Sequence, residues 1–249
     1  MALRFVNVDT CTSTMNFAAE LSEDESPHGT VVNARCQTAG RGQRGNGWES
    51  EPGENLTFSI VLRPVGLPAH RQFELSMAVC TALCRVLRRV LPDHDIRIKW
   101  PNDIYAGDGK MAGILIENVI GGGARLTRSI AGLGINVNQT VFRSDAPNPV
   151  SMAQLSGRRH RQTPLLEDIC KSVIELVDRL PDNEGMLLRE YHSLLWRNDG
   201  IPHRWLDTRS LLMFDAAIDH VDPTGPLVLR LADGSLHSFL FKQVAAVLG

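Results

Sequence analysis

The segment from Gly40 to Trp48 interleaves four glycines with two arginines and ends in a tryptophan. Glycine lets the backbone approach an anion and present its N–H groups, and the guanidinium groups of Arg41 and Arg44 add charge and forked donors. This pattern is typical of a phosphate-binding loop, although glycine and arginine alone are equally typical of a solvated surface loop. Trp48 favours binding, because a large ring can stack on a nucleobase or cover an apolar ligand. A tryptophan that packs in the core is the alternative.

This segment matches neither common phosphate-binding motif. A Walker A loop ends in Gly-Lys-Ser/Thr, and the dinucleotide fingerprint opens a helix. The sequence therefore predicts a different kind of phosphate chemistry.

A cation, an amide and a carboxylate occur together in Lys99-Trp100-Pro101-Asn102-Asp103. Pro, Asn and Asp are common turn residues, so a turn alone would explain the last three. A turn does not explain Lys99 and Trp100, which makes this segment a second candidate for chemistry.

Two further segments carry candidate residues. Lys110 stands just before a predicted buried strand, although a lysine in that position is more often a solvated loop charge. Glycines within the segment 131–138 indicate close approach of a ligand or of another backbone. Asn136 in that segment could then contact a nucleobase edge.

Hydrophobic periodicity predicts the elements that must position these residues. Strands are predicted at Leu3–Val8, Gly29–Gln37, Asn55–Leu62, Asp95–Trp100, Ile114–Ile120 and Arg125–Asn138, with Gly121–Gly123 as a hairpin turn. Helices are predicted at Ser13–Leu21, from Arg71 to before Pro92, from a cap at Thr163 with Pro164 in the first helical position, and at Leu187–Trp196. The fold class predicted from these elements is therefore α+β.

The pattern changes from Ile201 onward, where short strands alternate with turn residues, as in a small antiparallel barrel. We therefore predict two domains, covering residues 1–199 and 200–249.

The bulk composition is that of an ordinary soluble protein. The chain has 249 residues, a hydrophobic fraction of 43% and a net charge of -2, which gives no reason to expect nucleic-acid binding. It shows no membrane-spanning run and no secretory signal, so we expect a cytoplasmic protein without membrane partners. Its five cysteines are irregularly spaced, which favours reduced thiols over a disulfide framework, and Cys80 and Cys84 are interpreted as core residues.

The four segments, in this order and at these separations, resemble the catalytic core of biotin protein ligases. The motifs are the glycine-arginine loop, Lys-Trp-Pro-Asn-Asp, Lys-x-Ala-Gly-Ile-Leu and Gly-Ile-Asn, and the resemblance covers nearly the whole chain. It implies a mixed α/β catalytic domain followed by an SH3-like barrel. Some members carry an N-terminal winged-helix DNA-binding domain. The catalytic region begins here within the first ten residues, so we expect that module and a repressor role to be missing.

The resemblance also implies roles for individual residues. Biotin contacts are expected from Ser13, Thr14, Gln37, Gly40, Arg41, Gly42, Gln43, Lys110 and Gly113. Nucleotide contacts are expected from Arg41, Arg44, Trp48, Lys99, Asn102, Asp103, Lys110 and Asn136. Lys110, Arg41 and Asp103 would be catalytic, and Asp103 would orient the attacking amine or hold Mg²⁺. Two positions differ from the family: Gln43 replaces a second arginine, and Met15 replaces an asparagine that often follows the Ser-Thr pair.

The implied reaction is ATP-dependent. Biotin and ATP would form biotinyl-5'-AMP with Mg²⁺, and the biotinyl group would pass to a lysine of a biotin carboxyl carrier protein domain of a carboxylase. The resemblance also makes a homodimer possible, in which the strand Arg125–Asn138 pairs at a sheet edge with a second copy of the chain. The alternatives are a lipoate or octanoate ligase or transferase, and a non-catalytic protein that binds biotin or a nucleotide.

Overall fold

The computed structural model describes residues 3–144, 146–180 and 184–248, without the side chains of Arg44 and Glu184. Seven strands form the larger sheet: β1 (Arg4–Cys11), β2 (Thr30–Gln37), β3 (Leu56–Leu62), β4 (Ile96–Lys99), β5 (Asp103–Ala106), β6 (Gly109–Gly121) and β7 (Arg125–Ile135). Their order is β1-β2-β3-β7-β6-β5-β4, with β1 and β2 parallel and the other neighbours antiparallel. The predicted mixed sheet is therefore confirmed.

Helices cover both faces of this sheet. They are α1 (Thr14–Glu20), α2 (Gln72–Val90), α3 (Met152–Ser156), α4 (Gln162–Asp178) and α5 (Glu184–Ser193). In β3, Ile60 belongs to the large core that contains α2 and α4, whereas Val61 belongs to a small core beneath α1. Because both of its faces are buried, β3 is a continuous apolar run rather than an alternating one.

Most predicted elements are present, but several boundaries differ. The predicted cap at Thr163 is wrong: α4 begins at Gln162, its N-cap is Arg161, and Pro164 lies inside the first turn. That turn tolerates proline, because its N–H groups have no partner within the helix. Strand β6 begins at Gly109 rather than Ile114.

Two elements were not predicted from the sequence. Strand β5 was hidden because Asp103 was interpreted as the end of a turn. Helix α3 is short, with a capping box between Ser151 and Gln154 and a left-handed Gly157 at its end. Both elements are shorter than the window over which hydrophobic periodicity is read.

The suggested pairing edge is wrong as well. Strand β7 lies between β3 and β6, so both of its backbone edges are already hydrogen-bonded. The outermost strands of the larger sheet are β1 and β4, and the outer edge of β4 is hydrogen-bonded at Ile98 to the segment 194–196.

The C-terminal region forms a second, antiparallel sheet of five strands: β8 (His203–Asp207), β9 (Met213–Val221), β10 (Leu227–Leu231), β11 (Leu236–Phe239) and β12 (Val244–Ala246). Their order is β11-β10-β9-β8-β12. No hydrogen-bonded ladder joins β11 to β12 within the described residues, so the expected barrel is not closed.

The hydrophobic core is continuous between the two sheets. Trp205, Ile218 and Leu227 of the second sheet belong to the same buried cluster as Leu83 of α2 and Ile98 of β4. The two sheets are therefore packed together as one body. Every helix in the described ranges is too short or too polar to span a bilayer.

Candidate functional site

A cavity of about 650 Å³ lies between the larger sheet and the second sheet. This volume is in the range of small-molecule binding sites. Twelve of the residues predicted from the sequence line it: Ser13, Thr14, Gln37, Arg41, Gly42, Gln43, Trp48, Lys99, Asn102, Asp103, Lys110 and Gly113. Residues far apart in sequence are therefore brought together around one space.

Three predicted residues do not belong to this described lining. Gly40 lies beside it, where its carbonyl accepts the Trp48 N–H at 3.0 Å. The amide nitrogen of Asn136 lies 3.3 Å from the carbonyl oxygens of both Lys110 and Val150, so this side chain fixes the backbone behind Lys110. The side chain of Arg44 lies outside the described part of the structure.

The cavity is electrostatically positive. Four basic side chains are in its described lining, from Arg41, Lys99, Lys110 and Lys242, against a single carboxylate, from Asp103. The chain as a whole has a net charge of -2, so this positive charge is local to the cavity. Such a site favours anionic ligands.

A polar corner of the cavity is formed where α1 begins and β2 ends. The Thr14 N–H donates to Gln37 Oε1 at 2.8 Å, and Thr14 Oγ1 donates to the same oxygen at 3.2 Å. Ser59 Oγ lies 2.8 Å from Thr14 Oγ1, and Ser13 caps α1. These buried hydroxyl and amide groups can bind a compact polar ligand.

The segment 40–48, here called the arginine loop, is folded back on itself. A backbone bridge joins Arg41 to Gly47, and the Gly42 N–H donates to Asn46 O at 2.7 Å. A 3₁₀ turn, Gln43–Gly45, forms the tip. The loop therefore has a defined backbone shape beside the cavity.

Arg41 fixes one end of the arginine loop to the body of the protein. Its Nη1 donates to Asn16 Oδ1 of α1 at 2.7 Å, and its Nη2 donates to Glu117 Oε1 of β6 at 2.5 Å. Neither Asn16 nor Glu117 lines the cavity, so these contacts lie just outside it. Neither residue was predicted from the sequence to belong to the site.

Trp48 fixes the other end of the loop by packing on glycines of the larger sheet. A Cβ atom at Gly134 would lie 2.3 Å from the Trp48 ring, and one at Gly113 would lie 3.1 Å from it. A close approach of a ligand or another backbone was predicted for the glycines of the segment 131–138, and at Gly134 it is a side chain of the protein that approaches. Glycine is required at position 134 because any larger residue would displace the ring.

Two polar atoms of the arginine loop are buried without a partner among the described residues. They are Gln43 Oε1, an acceptor, and Trp48 Nε1, a donor. Buried polar atoms are normally hydrogen-bonded, so both are available to a ligand in the cavity that they line.

Lys110 and Asp103 form an ion pair inside the cavity. Lys110 Nζ lies 2.8 Å from Asp103 Oδ1, and both side chains are more than two-thirds buried. Strand pairing places Asp103 of β5 opposite Gly113 of β6, which leaves room for the lysine between them. The ammonium also lies 5.9 Å from the centre of the Trp48 ring.

The Lys99–Asp103 turn is bonded to the scaffold through its side chains. Lys99 Nζ donates to Tyr105 Oη at 2.9 Å, and Trp100 Nε1 donates to Gly225 O of the second sheet at 2.8 Å. The Asn102 amide donates to the carbonyl of Ile114. The peptide bond between Trp100 and Pro101 is cis.

The second sheet contributes a wall of the cavity that was not predicted. Besides Trp196, which precedes the second sheet, the lining includes Trp205, Thr208, Ile218, Leu227, Phe241, Lys242 and Val244–Ala246. Only the packing of the two sheets reveals that they face a cavity.

The described residues contain no group of three or more His, Cys, Asp or Glu side chains that could hold a metal ion alone. Cys80 and Cys84 are buried, and burial raises the pKa of the Cys84 thiol to about 12. The pKa of Cys80 is raised further for the same reason. These thiols are core residues, as the sequence indicated.

Comparison with known families identifies a match over half of the chain. The model of the Biotin/lipoate A/B protein ligase family matches residues 7–136, which include the arginine loop and the Lys110 segment.

Among curated proteins, Bifunctional ligase/repressor BirA from Bacillus spizizenii is 32% identical over 174 residues, covering 68% of this chain and 52% of that protein. Biotin--[acetyl-CoA-carboxylase] ligase from Mycobacterium tuberculosis is 33% identical over 129 residues, covering 51% of this chain and 46% of that protein. The chain thus spans about half the length of the curated relatives it matches.

A solved structure of biotin protein ligase from Aquifex aeolicus in complex with biotin and ATP is similar over the whole fold. The TM-score is 0.79, the sequence identity is 20%, and the superposition covers 97% of both chains. At this level of identity the similarity shows a shared fold, including the second sheet.

Proposed function

Since the chain belongs to the Biotin/lipoate A/B protein ligase family, we propose that it is an ATP-dependent ligase that attaches biotin to a lysine of a carrier protein. The reaction would proceed through biotinyl-5'-AMP. The relative from Mycobacterium tuberculosis and the Aquifex aeolicus structure, with its biotin and ATP, support this proposal.

The observation that carries the proposal is the positive cavity around Lys110. Biotin carboxylate and the ATP triphosphate are both anions, and they repel each other unless positive charge lies between them. Arg41 and Lys110 line the same cavity, and Lys110 is already held by Asp103 at 2.8 Å. Such preorganised charge lowers the barrier without being rearranged during the reaction.

The polar corner favours biotin over lipoate or octanoate. The ureido ring of biotin carries two N–H donors and a carbonyl acceptor, which match the mixed donors and acceptors of Ser13, Thr14 and Gln37. An acyl chain or a dithiolane ring would leave the remaining hydrogen-bonding capacity of these groups unused. That loss rejects a ligand more strongly than a difference in size does.

In the proposed first step, Lys110 Nζ would bind the biotin carboxylate and the α-phosphate together. Asp103 accepts a hydrogen bond from this ammonium and so orients it. Arg41 would neutralise a second part of the phosphate charge. The work of these residues is positioning and charge stabilisation rather than covalent catalysis.

Asp103 fits magnesium binding, because it supplies the carboxylate in the described lining. Magnesium usually takes one or two protein carboxylates, phosphate oxygens and water. Magnesium held there would supply positive charge that offsets the charge of the triphosphate.

In the proposed second step, the amine of a carrier lysine would attack the carbonyl carbon of biotinyl-5'-AMP and release AMP. The amine must be neutral to attack, and the Asp103 carboxylate is the lining group that could orient it. The carrier is expected to be the biotin carboxyl carrier domain of a carboxylase.

Pyrophosphate release tests the proposal. The protein is incubated with ATP, magnesium and either biotin, lipoate or octanoate. Release with biotin, followed by labelling of a biotin carboxyl carrier domain, is the expected result. Release with lipoate or octanoate alone would favour the first alternative, and binding of biotin without release would favour a non-catalytic protein.

A further inference from the structure

We propose that Glu117, together with Asn16, is a positioning residue that holds the arginine loop closed over the cavity by binding the guanidinium of Arg41. The effect expected on the reaction rests on the proposed function, whereas the way in which the loop is held rests on the described contacts alone.

Arg41 is bound from two elements, by residues that do not themselves line the cavity. Asn16 lies on α1 and Glu117 lies on β6, and their oxygens are 2.7 Å and 2.5 Å from the two terminal nitrogens of Arg41. The guanidinium therefore bridges a helix and a strand across the edge of the cavity. Charged hydrogen bonds on two sides of the guanidinium fix both the orientation of the side chain and the position of its positive charge.

The contact leaves Arg41 able to bind a ligand. A guanidinium has five N–H donors, and the contacts to Asn16 and Glu117 use two of them. Arg41 can therefore keep both partners while it donates to an anion in the cavity that it lines. Glu117 holds the loop closed and does not have to leave when the ligand binds.

The other end of the loop is fixed by a different force. Trp48 packs on Gly113 and Gly134 through van der Waals contact, and its Nε1 has no partner within the described residues. Closure thus depends on one apolar contact and one ionic contact. The ionic contact is the weaker one, because the side chains of Arg41 and Glu117 are about 40% exposed to solvent.

The expected consequence concerns the reactive intermediate. A mixed anhydride is hydrolysed if it reaches water, so a loop that opens more often releases or hydrolyses it before the carrier reacts. An ion pair of this exposure contributes a factor of about fivefold at most to the closed population. Loss of the Glu117 charge should therefore uncouple pyrophosphate release from carrier labelling without stopping adenylation.

Two measurements on Glu117→Gln test the proposal. Limited trypsin digestion should cut within residues 40–48 about three to five times faster than in the wild type. The ratio of pyrophosphate released to carrier labelled should rise by about the same factor, with kcat for adenylation nearly unchanged and KM for biotin raised. Glu117→Asp should partly restore both values, because it keeps the charge.

Asp9→Asn is the matched control. Asp9 forms an exposed ion pair with Arg35 at 2.5 Å and does not line the cavity, so its loss should change neither value. Equal trypsin sensitivity of Glu117→Gln, Asp9→Asn and the wild type would overturn the proposal. Because digestion needs no substrate, this result is separate from a failure of the proposed function, which would appear as absent pyrophosphate release by the wild type.

Discussion

The arginine loop and the Lys99–Asp103 turn line the same cavity, but they are held in different ways. Lys99, Trp100, Asn102 and Asp103 each bond to another part of the scaffold. The arginine loop instead carries buried polar atoms without described partners. The turn is therefore hydrogen-bonded without a ligand, whereas the loop keeps two buried polar atoms that a ligand could bind.

This difference indicates that the turn and the loop contribute to the proposed function in different ways. In the proposed reaction, the positive charge is preorganised by the turn and by the strand that carries Lys110, so it would not have to be rearranged. Retention of substrate would depend on the loop, whose contacts can break and form again. Substitutions in the two regions should therefore affect different measured quantities.

The largest effect is expected for Lys110→Ala, which lies in the preorganised part of the site. Loss of one electrostatic donor should reduce adenylate formation by about 10²- to 10³-fold. Pyrophosphate release with biotin and ATP measures this. Lys171→Ala, which removes an exposed lysine near Glu167 on α4, should behave like the wild type. Near-normal release by Lys110→Ala would remove this lysine from the mechanism.

A smaller effect is expected for Gly134→Ala, which acts on the loop. The added Cβ would lie 2.3 Å from the Trp48 ring and would displace it. Overpacking of this kind costs about 1–3 kcal/mol, so the affinity for biotin should fall by about 5- to 150-fold in a calorimetric titration.

Gly122→Ala is the control for Gly134→Ala, because a Cβ at position 122 meets no atom within 4 Å. Equal biotin affinity in the two variants would show that the position of Trp48 does not govern binding.

Trp100→Phe should affect stability more than turnover. The change removes the hydrogen bond to Gly225 O but keeps an aromatic ring near Phe241. Loss of one such bond costs about 1 kcal/mol, which lowers Tm by about 2–4 °C in a chain of this size. Thermal denaturation measures the shift. An unchanged Tm would mean that the turn does not depend on the second sheet.

The smallest effect concerns the pH dependence of the contact between the second sheet and α5. His192 Nε2 accepts the Val221 N–H at 2.6 Å, which requires a neutral ring nitrogen. Burial lowers the pKa of His192 below its usual value, and the neighbouring His220 acts in the same direction while Asp219 opposes it.

Because the folded pKa of His192 is depressed, its stabilising contribution is present above the unfolded pKa of about 6.5 and is lost as the pH falls below it. His192→Gln keeps an acceptor without titrating, so its Tm should fall less between about pH 7.5 and about pH 5.5 than that of the wild type. Parallel Tm curves would contradict this assignment.

Local patterns predicted most of the scaffold. The strands and the long helix α2 were found because their apolar residues recur with a regular period. The short β5 and α3 were missed because each spans too few residues to show a period.

Distant contacts were harder to predict. The strand glycines indicated a close approach, but not that Trp48 makes it. Arg41 and Glu117 are 76 positions apart, and no local pattern connects them. Asn136 has the chemistry to bind a ligand, but its carbonyl partners at Lys110 and Val150 appear only in three dimensions.

The shared hydrophobic core has a thermodynamic consequence. Because Leu227 of the second sheet and Leu83 of α2 belong to one buried cluster, heat should melt both sheets in a single cooperative transition. A ligand that binds only the native chain stabilises everything that melts with its site. Saturating biotin should therefore protect amide hydrogens in β10 from exchange, although β10 lies in the second sheet, far in sequence from the arginine loop.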